Sequence, residues 1–351
     1  MKSVIVKAHP LRCEIVDVPI PKPKPSEILI KVVYCASNPR DWKAPDHLIP
    51  GVEINQGNEM AGVVEEVGSG VYEFHKGDRV AAAHPMQAEN GTYAEYSTAP
   101  VNTCFLVPPN VSLEEACTIP FSLCTAALGL YQRLNIPFPT SPNNSKVQPP
   151  LIVYGGASAV GTYTLKLAKL GRFEKVIAIC GAGRQYLESL GVVTDFVDYR
   201  KNNVVNDLKA ALGGSKCFHA VDAVLSGDSW RHLSEVLEKE GGRIAVYLPR
   251  LDYSAIPKSM YVGIVFFGTV HAQPTPYWDE KCEEDPEFAH ALFRLLSRWL
   301  SERKLSGHPY EILPDGLESV ESGLQRLKDG TVSAKKLIYR IGDTPGIESK
   351  I

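Results

Sequence analysis

The spacing of apolar residues along the chain changes character near residue 145. Up to about residue 120, short apolar runs with polar alternation end in turns: EILIKVVYCA, AGVVEEVGSG, KGDRVAAAH and GTYAEYSTAP. Successive strand side chains point to opposite faces, so this pattern predicts an antiparallel barrel or sandwich. PKPKP at 21–25 is a connector, because proline has no N–H to give to a central ladder. A helix is predicted at SLEEACTIPF, where Ser112 can cap and Glu114 and Glu115 favour the positive end of the dipole.

Beyond that point strands and helices alternate. The predicted strands are PLIVYGG, KVIAIC, DFVDY, HAVDAVL, RIAVYL and IVFFGTV, with helices at GTYTLKLAKL, QYLESL and SWRHLSEVLEKEG. Alternation of this kind implies a parallel sheet with helical crossovers. A long helix, EFAHALFRLLSRWLSERK, precedes a last β run, KKLIYRI, which has no slot in the parallel sheet and returns to the first domain. The fold class is therefore α/β with two domains: residues 1–124 completed by 276–351, and residues 125–275. The segment NIPFPTSPNNSKVQPP reads as a surface loop before the first parallel strand.

A length of 351 residues fits two domains, and 44% hydrophobic with 22% charged residues is an ordinary globular balance. A formal charge of -3 gives no basic surplus for nucleic acid or an anionic membrane. The opening MKSVIVKAHP lacks the apolar core of a signal peptide, and no stretch approaches ~18 uninterrupted apolar residues, so a cytoplasmic protein is expected. The eight cysteines form no CxxC pair, which points to reduced thiols rather than disulfides or a structural zinc.

LIVYGGASAVGTYTLKLAK reads as a buried strand, a tight turn of small residues and an amphipathic helix. Gly155, Ser158 and Gly161 stand at the glycine positions of an AxxGxxG-type turn, with Ala157, Ala159 and Val160 between them. Small side chains let a pyrophosphate reach the backbone, where free N–H groups receive it. A plain strand-to-helix turn that binds nothing is the alternative, and placement on the first strand of a β/α array favours binding. Past the second strand stand Cys180, Gly181 and Arg184 with no carboxylate, so the site is open to NADPH. Tyr199 can cover the adenine or bond the 2′-phosphate, with Arg200 adding charge; the alternative is that Arg184 only opens a solvated helix and Tyr199 packs against a neighbour.

With ASNPRDWK at 36–43, QGNEMAGVVEEVGSGV at 56–71, FHKGDRVAA at 74–82, GTYAEY at 91–96 and CTAALGL at 124–130, nearly the whole chain resembles the medium-chain dehydrogenase/reductase superfamily. The similarity is to its zinc-free quinone oxidoreductase and enoyl reductase branch. NPRDWK, the loop at 135–150 and GGASAVG look most like the fungal ToxD-like group, which includes trans-acting enoyl reductases of polyketide biosynthesis. The resemblance implies a GroES-like β-barrel substrate domain and a Rossmann doubly wound parallel-sheet domain holding NADPH. It also implies that Asn38, Pro39, Arg40 and Asp41 lie beside the nicotinamide end, with Lys43 nearby; Lys43 can donate a hydrogen bond or proton there, although a lysine after a tryptophan in a loop is more often solvated. Thr125, Leu130 and Phe267 would line the substrate; Tyr247, Leu248, Gly268 and Thr269 would meet the cofactor, and Val332 and Ser333 would close its site.

Zinc-dependent members hold their metal from segments where this chain carries Asn38, Asn58 and Phe121. None offers a thiolate or imidazole, Glu59 alone cannot replace them, and the four-cysteine structural lobe is absent, so no metal is expected. Hydride transfer without a metal suits an acceptor at carbon, an activated C=C or a quinone. His84 and Tyr93 invite reading as an acid pair, although such residues more often complete hydrogen bonds at strand ends. The reading is an NADPH-dependent enoyl reductase, monomeric or homodimeric, working on a carrier-bound or free enoyl substrate with a polyketide synthase as partner. The alternatives are a soluble NADPH:quinone oxidoreductase and an NADPH-binding protein without redox turnover.

Overall fold

The computed structural model describes residues 1–44, 53–142, 146–247, 252–274 and 282–347. The chain divides into one unit of Met1–Phe121, Val270–Gln273 and Pro286–Ile351, and another of Ser122–Thr269 and Pro274–Asp285. In the first unit, β1 (Lys2–Lys7) and β2 (Arg12–Asp17) form an antiparallel hairpin. β3 (Glu27–Ala36) is flanked by β4 (Glu59–Val67), which in turn pairs with β5 (Arg79–Ala83); β6 (Tyr96–Pro100) joins β3, and β7 (Cys104–Leu106) joins β5. Two register shifts along β3 and β4, at Leu29/Ile30 and Val32/Tyr34, bend the pair as bulges do. α1 (Pro39–Lys43) follows β3 directly, so the segment NPRDWK stands at the end of a buried strand.

SLEEACTIPF forms two helices where one was expected. Ser112 Oγ accepts the Glu115 N–H at 3.1 Å and caps α2 (Leu113–Cys117), but Pro120 has no N–H for that ladder and instead opens α3 (Pro120–Ala127). α3 runs on as a π-helical turn, Leu128–Arg133.

The second unit carries β8 (Leu151–Tyr154), β9 (Val176–Cys180), β10 (Asp195–Asp198), β11 (His219–Asp222), β12 (Arg243–Val246) and β13 (Tyr261–Ile264). All pair in parallel, in the order β10-β9-β8-β11-β12-β13. That is the strand order of a doubly wound dinucleotide-binding sheet, with its reversal beside β8. The crossovers are α4 (Ala159–Ala168), α5 (Arg184–Ser189), α6 (Val204–Leu212) and α7 (Ser229–Val236). α6 was not among the predicted helices, although Val204, Leu208 and Leu212 mark one buried stripe at helical spacing. IVFFGTV was expected to be a strand throughout. The strand stops at Ile264, and Phe267–His271 coils into a 3-10 helix, with the Thr269 hydroxyl 2.5 Å from Asp285 Oδ2.

α8 (Asp285–Ser301) buries Ala289, Leu292, Phe293 and Leu296. β14 (Tyr310–Leu313), α9 (Val320–Lys328) and β15 (Lys336–Arg340) complete the first unit. β15 pairs antiparallel with β3, Ile338 opposite Ala36, so the last strand returns to the first sheet as its pattern implied.

Candidate active site

The glycine turn hangs on β8. Gly155 has φ +73°, a region that favours glycine, and its N–H and that of Gly156 both donate to Ile179 O on β9, at 3.0 and 3.1 Å. A Cβ on Gly161 would run into the Gly155 carbonyl, so α4 can start this close to the strand only with glycine there. Ser158 caps α4, its Oγ accepting the Gly161 N–H at 3.1 Å. Ala159 and Val160 open the helix with N–H groups that have no acceptor within it. Ala157, Ser158, Ala159 and Val160 are all partly exposed. The turn therefore fits a nicotinamide dinucleotide, with the pyrophosphate received by the first N–H groups of α4.

At the ends of β9 and β10 the predicted adenine-side residues come together. A Cβ on Gly181 would lie 3.1 Å from the Tyr199 ring and 3.4 Å from Arg200 Nε. Tyr199 is 49% exposed, which leaves its ring face available. Arg184 packs 4.8 Å over the Phe196 ring and donates to Glu188 Oε1 at 2.8 Å, one turn further along α5. Cys180 is buried. One group was missed in the sequence. Asp198 sits across from Cys180 in the parallel register and accepts three hydrogen bonds from Arg200, from Nε at 2.8 Å, Nη2 at 2.5 Å and the backbone N–H at 3.0 Å, which hold its carboxyl down to about 2. A carboxylate therefore does stand near this site, on the third strand rather than the second, and Arg200 already neutralises it.

In the first unit the residues of α1 are fixed by a buried polar network. Asn38 donates from Nδ2 to Glu59 Oε1 at 2.8 Å and accepts from Lys336 Nζ at 2.9 Å. Lys336 also pairs directly with Glu59, and the Phe121 N–H reaches Glu59 Oε2 at 3.2 Å. Glu59 and Lys336 are 0% and 3% exposed. Two of the three positions that carry zinc ligands in metal-dependent relatives, Asn38 and Phe121, thus converge on a carboxylate whose counter-charge is an internal ammonium. Among the described residues no group of three or more His, Cys, Asp or Glu is placed to hold a metal ion.

A second branch starts at Asp41. Its Oδ2 accepts from Tyr93 Oη at 2.6 Å and from the Asn38 N–H at 2.8 Å; Ser37 Oγ then links Tyr93 and Tyr339, at 2.9 and 2.7 Å. Burial raises the Asp41 carboxyl to about 7, against the opposing pull of the Tyr93 hydrogen bond and the Arg40 charge. Arg40 Nη1 donates to Asn58 Oδ1 at 2.5 Å. Pro39 is exposed at the first turn of α1. Lys43 lies 5.4 Å over the Trp42 ring, and burial lowers its pKa.

His84 and Tyr93 do not form a pair. Tyr93 is bound to Asp41 and Ser37, whereas His84 Nδ1 bonds Thr98 O at 2.7 Å and lines another cavity of about 680 Å³ with Asn102, His271 and Gln273. Val332 packs on the first core and Ser333 is exposed. In the second unit Thr125, Phe267, Gly268 and Thr269 are buried, Leu130 is fully so, and the half-buried Tyr247 sets its hydroxyl against Gly129. Leu248 lies outside the described residues. Sequence reasoning overlooked Lys336 and Tyr339, which it read only as strand; a lysine on the buried face of KLIYR was the available signal.

Residues 24–109 match the alcohol dehydrogenase GroES-like domain. The trans-enoyl reductase fsr4 of Gibberella fujikuroi is 37% identical over 90% of this chain and 91% of its own length. The trans-enoyl reductase FMN2 of Fusarium mangiferae is 30% identical over 96% and 98%. Among solved structures, an alcohol dehydrogenase superfamily protein of Novosphingobium aromaticivorans superposes with a TM-score of 0.80 at 19% identity, covering 97% of this chain and 99% of its own. The CurK enoyl reductase gives 0.75 at 17%, covering 95% and 98%. The parallel sheet, the glycine turn and these relatives agree: the chain belongs to the medium-chain dehydrogenase/reductase superfamily, in its trans-enoyl reductase family.

Proposed function

We propose that the protein is a cytosolic, NADPH-dependent enoyl reductase that acts on the β carbon of an α,β-unsaturated thioester, in trans with a polyketide synthase. The observation that carries this reading is the 37% identity, over nine-tenths of the chain, to a relative named for that activity. When bound, the reduced nicotinamide supplies the hydride. The turn at Gly155–Gly161 would hold the pyrophosphate, and Arg184, Tyr199 and Arg200 the 2′-phosphate end. The Asn38 side chain is held by Glu59 and Lys336, which fixes the start of α1. Lys43, half-buried at the end of α1, is the candidate donor of the proton for the α carbon, and its lowered pKa suits that task. The proposed reaction uses no metal: Lys336 is the counter-charge of Glu59, and an electron-poor C=C does not require one.

The test is cofactor oxidation with crotonyl-pantetheine thioester. NADPH should be preferred over NADH by at least about tenfold, roughly 1.4 kcal/mol, from charge-assisted contacts to the 2′-phosphate. Arg184→Ala should erode that preference and leave NADH affinity nearly unchanged. Equal use of both cofactors by the parent would overturn the phosphate assignment, and quinone reduction without thioester turnover would overturn the substrate.

A further inference from the structure

The loop that follows β11 stands beside the glycine turn and is built around one carboxylate. Asp222 is 0% exposed; its Oδ1 accepts the N–H of Val224 at 3.3 Å and of Leu225 at 2.9 Å, and its Oδ2 accepts the Ser229 hydroxyl at 2.5 Å. Ser229 opens α7, so the carboxylate ties the start and the end of the loop together. Before the loop turns, the Ala223 N–H donates to Tyr154 O at 3.0 Å, which carries the pairing with β8 one residue past the strand. Leu225 then adopts φ +46°, a left-handed conformation that a leucine takes only when its surroundings impose it. The Asp222 hydrogen bond on its N–H and the packing of its side chain on the core of the second unit do so. The turn leaves Val224 at the surface: it is 38% exposed, and a Cβ on Gly155 would collide with its methyl groups. An exposed valine thus stands over the first glycine of the turn, where the strand order reverses and a dinucleotide passes between the two halves of the sheet.

We propose that Asp222 is a positioning residue of the cofactor site: it fixes Val224 as an apolar wall against which the nicotinamide half of the dinucleotide lies as it leaves the pyrophosphate. This rests on the reading above that the glycine turn holds a nicotinamide dinucleotide. The order of the sheet assigns the halves. Gly181, Tyr199 and Arg200 gather at the ends of β9 and β10, on one side of β8, whereas Val224 follows β11, on the other. A ligand held by its adenosine at β9 and β10 and by its phosphates at the turn therefore continues past Val224. Val224 is exposed and Ala157, Ser158, Ala159 and Val160 are partly so, which gives the ligand accessible atoms to meet, and every group in the scheme belongs to the second unit. An apolar contact there excludes water from the uncharged face of the ribose and its ring. Asp222 itself touches no ligand and acts through the loop, whose backbone it holds in the strained turn.

The experiment uses the full chain with Val224→Ala, Asp222→Ala and Asp222→Asn, titrated with two ligands by calorimetry: NADPH, and 2′,5′-ADP, which carries the adenosine half alone. Val224→Ala takes two methyl groups from the wall and should weaken NADPH about fivefold or more, with 2′,5′-ADP within about twofold of the parent. Asp222→Ala releases the loop and should weaken NADPH about tenfold, again with 2′,5′-ADP within about twofold. Asp222→Asn keeps an acceptor oxygen for the Val224 and Leu225 N–H groups, so it should bind NADPH within about threefold of the parent. If Asp222→Ala does not fold, judged by melting, Val224→Ala, a change at an exposed side chain, carries the test. An NADPH affinity unchanged in Val224→Ala overturns the proposal. So does an equal loss of both ligands in Asp222→Ala, which would make Asp222 a general support of the sheet. Asp222→Asn as weak as Asp222→Ala also overturns it, by placing the effect on the charge instead of the hydrogen bonds to the loop. A parent that binds neither ligand overturns the dinucleotide reading itself, whereas a parent that binds both, with Val224→Ala indistinguishable from it, overturns this proposal alone.

Discussion

Lys336→Met removes the ammonium from a fully buried carboxylate. Glu59 would keep the Asn38 amide at 2.8 Å and the Phe121 N–H at 3.2 Å, both neutral donors. Breaking a buried ion pair on one side typically costs about 3–5 kcal/mol, because the remaining charge has neither water nor counter-ion. For a unit of this size that is a fall in melting temperature of roughly 10 °C. The second half of the test is Lys336→Met combined with Glu59→Gln. Glutamine removes the charge but keeps an acceptor for both donors, so the double variant should regain most of the loss. Calorimetry is the assay, because two units can melt separately and each transition must be seen. A single variant within about 1 kcal/mol of the parent, or a double variant no more stable than the single, would refute the reasoning that an uncompensated Glu59 charge sets the cost.

Two further outcomes follow from the geometry. Asp41 holds its proton up to about pH 7 in the folded protein, against 3.8 for an ordinary aspartate, so its stabilising contribution is full below about pH 4 and is lost as pH rises through 7. Between pH 4 and pH 8 the unfolding free energy of Asp41→Asn should therefore gain on that of the parent by up to roughly 4 kcal/mol, and a difference that does not change with pH would contradict it. Ser158→Asp should melt like the parent, because aspartate caps α4 as well as serine does, yet it sets a carboxylate where the pyrophosphate is received; NADPH binding within about threefold of the parent would show that this turn does not hold it.

Much of this arrangement was legible in the sequence, for definite physical reasons. The runs LIVY and VIAIC are apolar on both faces, so their place in a parallel sheet follows from composition alone. The glycine turn was legible because a tight strand-to-helix junction allows few residue types at Gly155 and Gly161. IVFFGTV misled, because an apolar run has no period to separate a strand from a buried 3-10 turn; Thr269 and Asp285 decide it through a contact made between segments. The network around α1 was hidden for the same reason. Lys336 meets Asn38 across 298 residues of chain, and Asp198 meets Cys180 only through sheet register. Local pattern shows that a lysine or aspartate lies on a strand, and topology alone supplies its partner.

The most direct measurement is the fate of a labelled hydride. NADPH deuterated at the reactive nicotinamide carbon is incubated with the protein and crotonyl-pantetheine in the presence of a chelator, and the saturated thioester is analysed by mass spectrometry and NMR. The account predicts one deuterium at the β carbon for each NADPH oxidised, a solvent hydrogen at the α carbon, and a rate that the chelator leaves unchanged. Product labelled at the α carbon, product without label, or turnover that stops with the chelator would contradict it.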